Sequence, residues 1–196
     1  MFKKTLSALA VACVMLVSAA AAGTIFPAEY TDIDGVTRAG YLDEDGMTVL
    51  PFAYAQAGDF ADCGLAAVEN EQWQTAVIDR TGKLVIAYTD SPVSVDFSDT
   101  MVAYRYTDHS VYYATDGKHI GSYPGAVGFF EDGLLLCRNA DTGLYSYVKQ
   151  DGSTAFSGSY RKAGAFSNGR TLCRRRTAII RRSTPRAQCC TLCRMT

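Results

Sequence analysis

The chain has few of the residues on which hydrolytic and metal sites are commonly built. It contains one tryptophan, Trp73, two histidines, His109 and His119, and no G-x-S-x-G motif in 196 residues. A histidine-based triad at a serine elbow is therefore not supported. Segments 32–35 and 43–46 resemble calcium-loop fragments, but tyrosine stands where the first oxygen ligand is required. We assign these aspartates to turns and predict no catalytic residue, no metal site and no cofactor.

A long apolar run is found at the N-terminus. Lys3 and Lys4 precede a stretch from Leu6 to Val17 that is apolar apart from Ser7. It is too short for a membrane-spanning helix of roughly 20 residues. We predict that residues 1–22 are a signal peptide cleaved near Ala22/Gly23. Lipidation at Cys13 and an uncleaved anchor are the alternatives.

Export would place the mature protein outside the cytoplasmic membrane, either secreted or associated with the cell envelope. The basic start followed by an alanine-rich stretch is typical of a bacterial protein. We expect no stable membrane span after the signal peptide has been cleaved.

Acidic and basic residues are unevenly distributed. The chain is 48% hydrophobic and 20% charged, a composition that favours a buried core. Residues 23–169 hold all 20 acidic residues and 9 of the 19 basic ones, for a formal net charge of −11. Residues 170–196 hold eight arginines and no acidic residue, for a charge of +8. One uniform domain therefore does not describe the whole chain.

A glycine recurs at a nearly constant interval through the middle of the chain. Gly46, Gly82, Gly117 and Gly152 are separated by 36, 35 and 35 residues. A short run rich in β-forming residues precedes and follows each, such as Ala76–Asp79 before Gly82. Two such runs around a turn predict a β-hairpin, because the turn needs a positive φ that glycine adopts without strain.

A second mark lies between these hairpins. Phe60, Phe97, Phe130 and Phe166 recur at intervals of 37, 33 and 36 residues, and a polar turn follows each of them. An apolar strand follows the turn in the first three copies, so each unit is predicted to be an antiparallel meander of three or four short strands. One unit is too small to bury its own apolar face, so neighbouring units must stack or join edge to edge. We expect an all-β fold of tandem antiparallel meander or hairpin repeats of about 35 residues, propeller-like or solenoid-like, without amphipathic helices.

These units resemble the bacterial WG-repeat family, whose copies carry a Gly-Tyr-Ile-Asp-x-x-Gly hairpin and then a Phe-Ser-Glu-Gly-Leu-Ala-x-Val strand. The resemblance spans residues 37–169, and its best copies are Gly40–Gly46 with Phe60–Val68, and Ala76–Gly82. The Trp-Gly dipeptide is replaced in every copy, by Ala39-Gly40 in the first, so the array is degenerate. The resemblance implies β-rich repeats in a secreted or envelope-associated protein with a binding or scaffolding role, and it implies no catalytic residues.

The repeat pattern stops after Gly169. Residues 170–196 contain four cysteines and no glycine or aromatic residue, although the repeat requires an apolar strand there. One permitted choice of codons for the tail, read two nucleotides out of frame, restores an apolar strand and a turn glycine at the repeat interval. We therefore interpret the tail as the product of a shifted reading frame and expect it to be disordered.

Two other readings of the tail are weaker. Arg174–Arg176 would suit a nucleic-acid surface, but aromatic residues do not alternate with the arginines, and export argues against that partner. Cys189, Cys190 and Cys193 crowd one end and lack the spaced pairs of a zinc site. The predicted organisation is thus a signal peptide (1–22), a lead-in segment (23–36), about four repeats (37–169) and the tail (170–196).

Tyrosines provide the strongest indication of a binding surface. Alternation along the strands would expose part of the set on one face, and exposed tyrosines on a rigid sheet favour contact with protein or glycan. We therefore predict a non-enzymatic protein that binds an extracellular protein or carbohydrate, with no nucleic-acid partner. The candidate ligand-binding residues are Tyr104, Tyr106, Tyr112, Tyr113, Tyr145 and Tyr147.

Two alternatives to binding remain open. The array would be a secreted hydrolase if two carboxylates lay at a glycosidase spacing, drawn from Asp43, Glu69, Asp79 and Glu131. It would be an inert product if the shifted frame had destroyed its function.

Overall fold

The computed structural model describes residues 23–166, 170–175 and 191–194, and within these ranges all regular structure is β. The strands are β1 (Phe26–Thr31), β2 (Thr37–Leu42), β3 (Thr48–Tyr54), β4 (Gln56–Ala57), β5 (Leu65–Glu69), β6 (Gln74–Asp79), β7 (Leu84–Asp90), β8 (Ser94–Phe97), β9 (Met101–Arg105), β10 (His109–Ala114), β11 (His119–Pro124), β12 (Ala126–Glu131), β13 (Leu134–Arg138), β14 (Tyr145–Lys149), β15 (Tyr160–Ala163), β16 (Arg170–Arg175) and β17 (Thr191–Arg194).

Neighbouring strands pair in sequence order and antiparallel, which gives four sheets. Sheet 1 contains β1–β3, sheet 2 contains β4–β7, sheet 3 contains β8–β11 and sheet 4 contains β12–β17. Sheets 2 and 3 are four-stranded meanders, and their second strands begin 36 residues apart, at Leu65 and Met101. The predicted all-β array of meander repeats is confirmed.

One backbone arrangement closes the hairpin turns. In the turn between β2 and β3 the Gly46 amide donates to the Asp43 carbonyl, and the same bond recurs at Gly82, Gly117 and Gly152. Their φ angles are +76°, +81°, +86° and +80°. These values lie in the left-handed region that side chains disfavour, which explains glycine at each position.

Aspartate side chains complete these turns. Asp43 Oδ1 accepts hydrogen bonds from the amides of Asp45 and Met47 at 3.1 and 2.8 Å. Asp32 accepts the equivalent two bonds in the turn between β1 and β2. The turn assignment of both aspartates is confirmed, and the lead-in segment 23–36 supplies the first strand of sheet 1.

Successive sheets pack face to face, because alternate residues of each strand point to opposite neighbours. Leu65 and Val77 of sheet 2 pack toward sheet 3, whereas Ala66 and Ile78 pack toward sheet 1. Cys137 of sheet 4 is buried against sheet 3, and Cys63 and Cys137 are both free thiols. The units therefore share their cores, as the stacking prediction required.

A tyrosine two residues before the hairpin turn connects one unit to the next. Its ring is buried, and its hydroxyl donates to a carbonyl 16 or 17 residues farther along the chain. The three bonds are Tyr41 to Gly58 at 2.9 Å, Tyr112 to Gly128 at 2.5 Å and Tyr147 to Gly164 at 2.7 Å.

The interface between sheets 2 and 3 reverses this arrangement. Val77 occupies the tyrosine position of sheet 2, and Tyr104 of sheet 3 fills the space from the other side. At the neighbouring interfaces the position corresponding to Tyr104 holds the smaller Val68 or Cys137. Each of these interfaces thus combines one tyrosine with one smaller side chain.

Two segments of the tail lie within the described residues. β16 pairs with β15, and β17 pairs with β16. For these segments the structure has strands where we expected disorder. The reason is positional, since β16 begins four residues after Phe166, as β13 begins four residues after Phe130. The rest of the tail and the predicted signal peptide lie outside the described residues.

In the part of the chain that the structure describes, no helix is long and apolar enough to cross a membrane.

Candidate functional site

One edge of the stacked sheets gathers four turns, which we call the turn edge. It comprises residues 32–35, 70–73, 106–108 and 139–144, the turns that precede β2, β6, β10 and β14. The hairpin turns with Gly46, Gly82, Gly117 and Gly152 lie at the other ends of those strands. The turn edge is therefore a continuous surface with one contribution from each sheet.

Contacts between neighbouring sheets keep these turns close together. Arg38 of sheet 1 lies 3.9 Å from Glu71 of sheet 2. The Tyr106 hydroxyl donates to the carbonyl of Asp90 at 3.1 Å, which joins sheets 2 and 3. The Gly125 amide in turn donates to the carbonyl of Asp108 at 3.2 Å, at the boundary between sheets 3 and 4.

A groove of about 780 Å³ opens between sheets 3 and 4 and reaches the turn edge. Its lining mixes hydroxyl, amide and charged groups with aromatic surface, the composition of a site for a polar ligand. The main contributors are Tyr106, Thr107, Asp108, His109, Ser110, Ser122, Tyr123, Val127, Arg138, Asn139, Asp141 and Ser146.

An aromatic stack and a side-chain hydrogen bond form one side of the groove. The rings of Tyr106 and His109 are parallel within 12° with centroids 4.8 Å apart. His109 Nδ1 lies 2.7 Å from Asp108 Oδ1. This hydrogen bond holds the pKa of Asp108 below its ordinary value, so Asp108 is ionised at neutral pH. Both rings remain partly exposed.

Arg105 connects sheet 3 to β12 of sheet 4 beside the groove. Its guanidinium donates to Asp96 at 2.7 Å, to the Tyr112 hydroxyl at 2.6 Å and to the carbonyl of Gly128 at 2.8 Å. It also lies 5.4 Å from the centre of the Phe129 ring. These contacts hold the middle of β12, whose first two residues line the groove.

The six candidate tyrosines separate into two groups. Tyr104, Tyr112 and Tyr147 are buried between sheets and belong to the core. Tyr106, Tyr113 and Tyr145 are partly exposed, and Tyr106 lines the groove. A ligand that leaves the fold intact can reach only the second group, for which the binding role stays a prediction.

The carboxylates considered for hydrolysis are spread over the array. Asp43 and Asp79 lie in hairpin turns, Glu69 lies at the end of β5, and Glu131 is exposed at the end of β12. Burial acts to raise the pKa of Asp79, but hydrogen bonds from Thr81 outweigh it, so the pKa is lowered. A general acid needs the opposite shift.

A smaller cavity of about 240 Å³ lies between sheets 2 and 3. Its lining includes Glu69 and Thr75 of sheet 2 and Val93 from the connection between β7 and β8. Glu69 and Thr75 correspond in the repeat to Arg138, which lines the larger groove, and to Tyr145. Crevices thus recur between successive sheets, while their side chains differ.

Sequence reasoning missed Asp108, Arg138 and Asp141. Each lies in or beside the turn that precedes the first strand of a hairpin, and that turn occupies the same place in every repeat. Position within the repeat was the available signal, because these residues form no motif. No group of three or more His, Cys, Asp or Glu suited to a metal occurs in the described ranges.

Comparison with known proteins finds one family match. Residues 40–72 match the WG containing repeat family. The match begins within β2 and ends in the turn before β6, so it crosses from sheet 1 to sheet 2. The sequence repeat and the hydrogen-bonded sheet are therefore out of phase, and each repeat contributes to two sheets. No curated protein matches the chain.

Proposed function

We propose that this chain, a WG-repeat protein through residues 40–72, is an exported, non-enzymatic binding or scaffolding protein of the bacterial cell envelope. Its ligand is a protein or glycan outside the cell, held in the groove between sheets 3 and 4. Nucleic acid is not a partner, because the net charge of −11 on residues 23–169 repels phosphates.

The observation that carries this proposal is the lining of the groove. Its volume of about 780 Å³ suits a short oligosaccharide or a peptide segment. The Tyr106–His109 stack offers a flat aromatic surface, while Asp108, Arg138 and Asp141 offer polar groups around it. Rigid aromatic side chains lose little entropy when they contact a ligand.

A binding screen on the full chain tests the proposal. Glycan arrays and envelope-protein pull-downs are compared for wild type, Tyr106→Ala and His109→Ala. We expect a ligand of the wild type to bind each variant roughly tenfold more weakly, since interface aromatics often contribute more than 1 kcal/mol. Tyr30→Ala, an exposed tyrosine on sheet 1, is the matched control and keeps wild-type affinity. Equal binding by all four proteins would exclude the groove as the site.

A secreted hydrolase is the alternative function. Asp108 and Asp141, which both line the groove, are better candidates for its carboxylates than the four dispersed ones. Turnover of a polysaccharide that Asp108→Asn or Asp141→Asn abolishes, without loss of binding, would support hydrolysis. Binding without turnover supports the proposed role, and neither property would indicate an inert product.

A further inference from the structure

Seven turns in the described residues share the same two backbone hydrogen bonds. In six of them the residue in the left-handed conformation is glycine, with φ between +76° and +86°. The seventh is the turn between β5 and β6, where Trp73 adopts a φ of +58°. The six glycines are Gly35, Gly46, Gly64, Gly82, Gly117 and Gly152.

Packing within the chain does not explain this tryptophan. The left-handed conformation is unfavourable for a bulky residue, and glycine would adopt it without cost. Trp73 is 65% exposed, so the protein core gains little from its ring. Strained exposed residues of this kind are typical of ligand-contacting sites. A contact with a molecule outside the chain accounts for both the strain and the exposure.

Trp73 lies on the turn edge, one sheet away from the groove. Its turn belongs to sheet 2, and the Tyr106–His109 stack belongs to the equivalent turn of sheet 3. Packed sheets are about 10 Å apart, so the two aromatic surfaces are separated by roughly that distance along the edge. The bond from Tyr106 to the carbonyl of Asp90 keeps the two sheets together there.

Charges of both signs lie on and beside the two aromatic groups, which favours an uncharged polymer. Glu71, Asp90 and Asp108 of sheets 2 and 3 repel a polyanion, whereas Arg38 of sheet 1 and Arg138 of sheet 4, which flank them, oppose a polycation. The amides of Asn70 and Trp73 already donate to backbone carbonyls in the turn. These two amides are therefore not available to an extended peptide that pairs through backbone hydrogen bonds.

We propose that the ligand is an uncharged polysaccharide that extends along the turn edge from the groove to Trp73. Sugar rings stack on the indole and on the Tyr106–His109 surface, and polar side chains between them bind the hydroxyl groups. This inference rests on the proposed function and names the ligand class of the same site.

Trp73 is the one tryptophan in the sequence, so its fluorescence reports directly on this contact. The full chain is titrated with soluble β-glucan, α-glucan and mannan, each as a disaccharide and as a long chain. We expect one long polymer to bind and to shift the emission to shorter wavelength. The matching disaccharide fits within the groove and leaves the emission unchanged.

The variant Trp73→Gly separates the contact from the fold, because glycine is the residue that the other six turns use. Because this variant has no tryptophan, its binding is measured by calorimetry instead of fluorescence. We expect roughly tenfold weaker binding of the long polymer and unchanged binding of the disaccharide. Met47→Ala removes a similarly exposed apolar side chain from a hairpin turn at the opposite edge and leaves both affinities unchanged.

Three results would overturn the inference, and they are distinguishable. Polymer binding that Trp73→Gly leaves intact but Tyr106→Ala weakens would refute the extension and retain the groove. Binding of a lysine-rich peptide, with no glycan bound, would refute the ligand class. Failure of the wild type to bind any glycan or peptide would refute the proposed function as well.

Discussion

The hydroxyl of Tyr41 donates a 2.9 Å hydrogen bond to the carbonyl of Gly58, which follows the first strand of the next sheet. The tyrosine ring is fully buried between sheets 1 and 2. The same side chain thus fills the interface and satisfies a backbone group of its neighbour. Loss of the hydroxyl should weaken the interface without changing its shape.

We expect Tyr41→Phe to destabilise the protein by about 1 kcal/mol, because the carbonyl of Gly58 loses its partner. Tyr104→Phe is the matched control. Tyr104 is equally buried, but its hydroxyl has no hydrogen-bond partner among the described residues. Removing that hydroxyl should leave stability unchanged or raise it. Urea unfolding followed by circular dichroism measures the free energy of unfolding of both variants. A larger loss of stability for Tyr104→Phe than for Tyr41→Phe would contradict the structural role given to the Tyr41 hydroxyl.

The turn glycines differ in what surrounds them. Gly117 and Gly46 both have positive φ, so alanine costs about 1 kcal/mol at either position. A Cβ at Gly117 would lie 2.1 Å from the carbonyl oxygen of Val85 in the preceding sheet, whereas nothing lies within 4 Å at Gly46. We expect Gly117→Ala to be the more destabilising variant in thermal unfolding. Equal losses would show that the turn does not press against β7.

Arg105 organises the interface between sheets 3 and 4. Its side chain is 16% exposed and contacts Asp96, Tyr112 and the carbonyl of Gly128. Removing it leaves several partners unsatisfied, so Arg105→Ala should cost about 2 kcal/mol. Arg38→Ala removes a more exposed ion pair and should cost less than about 1 kcal/mol. The two free energies of unfolding in urea test the difference, and equal values would contradict it.

Buried phenols predict loss of stability at alkaline pH. Burial is the main cause that raises the pKa values of Tyr41 and Tyr104 well above 10.0. Since these values are raised in the folded state, the associated stability is complete below pH 10 and is lost as pH rises through the folded values. Burial also raises the pKa of Cys137, to about 11. In an alkaline titration we expect a fraction of the tyrosinate absorbance at 295 nm to appear together with unfolding. That fraction should be smaller in Tyr41→Phe than in the wild type.

The sequence was sufficient to predict the strands and turns because both signals are local. Glycine spacing located the hairpins, and the small size of one unit predicted that neighbouring units pack against each other. The tyrosine set shows the limit of this reasoning. Alternation was expected to expose part of the set on one face. Tyr112 and Tyr113 are adjacent and face opposite ways, but both pack between sheets, Tyr112 fully buried and Tyr113 partly buried.

The groove was less predictable because it depends on how two sheets meet. Asp108 and Arg138 are far apart in sequence and approach one another only after sheets 3 and 4 stack. Trp73 is the single tryptophan of the sequence, but the sequence does not show that it adopts a left-handed backbone conformation, which is why we infer a ligand contact. Export and the reading-frame interpretation of the tail stay predictions.

The reversed pair Val77 and Tyr104 provides a test of how the units recognise each other. Val77→Tyr should overpack the interface against Tyr104, at a cost of about 1–3 kcal/mol. Tyr104→Val should leave a cavity, with a loss of similar size or larger. The double variant reproduces the arrangement at the other interfaces, in which the tyrosine comes from the earlier sheet.

We expect the double variant to be more stable than the sum of the two changes predicts, by at least about 1 kcal/mol. A double-mutant cycle in urea measures the coupling. Strictly additive losses would mean that the exchange of large and small side chains is not compensatory, and that each interface tolerates its tyrosine independently of the residue opposite.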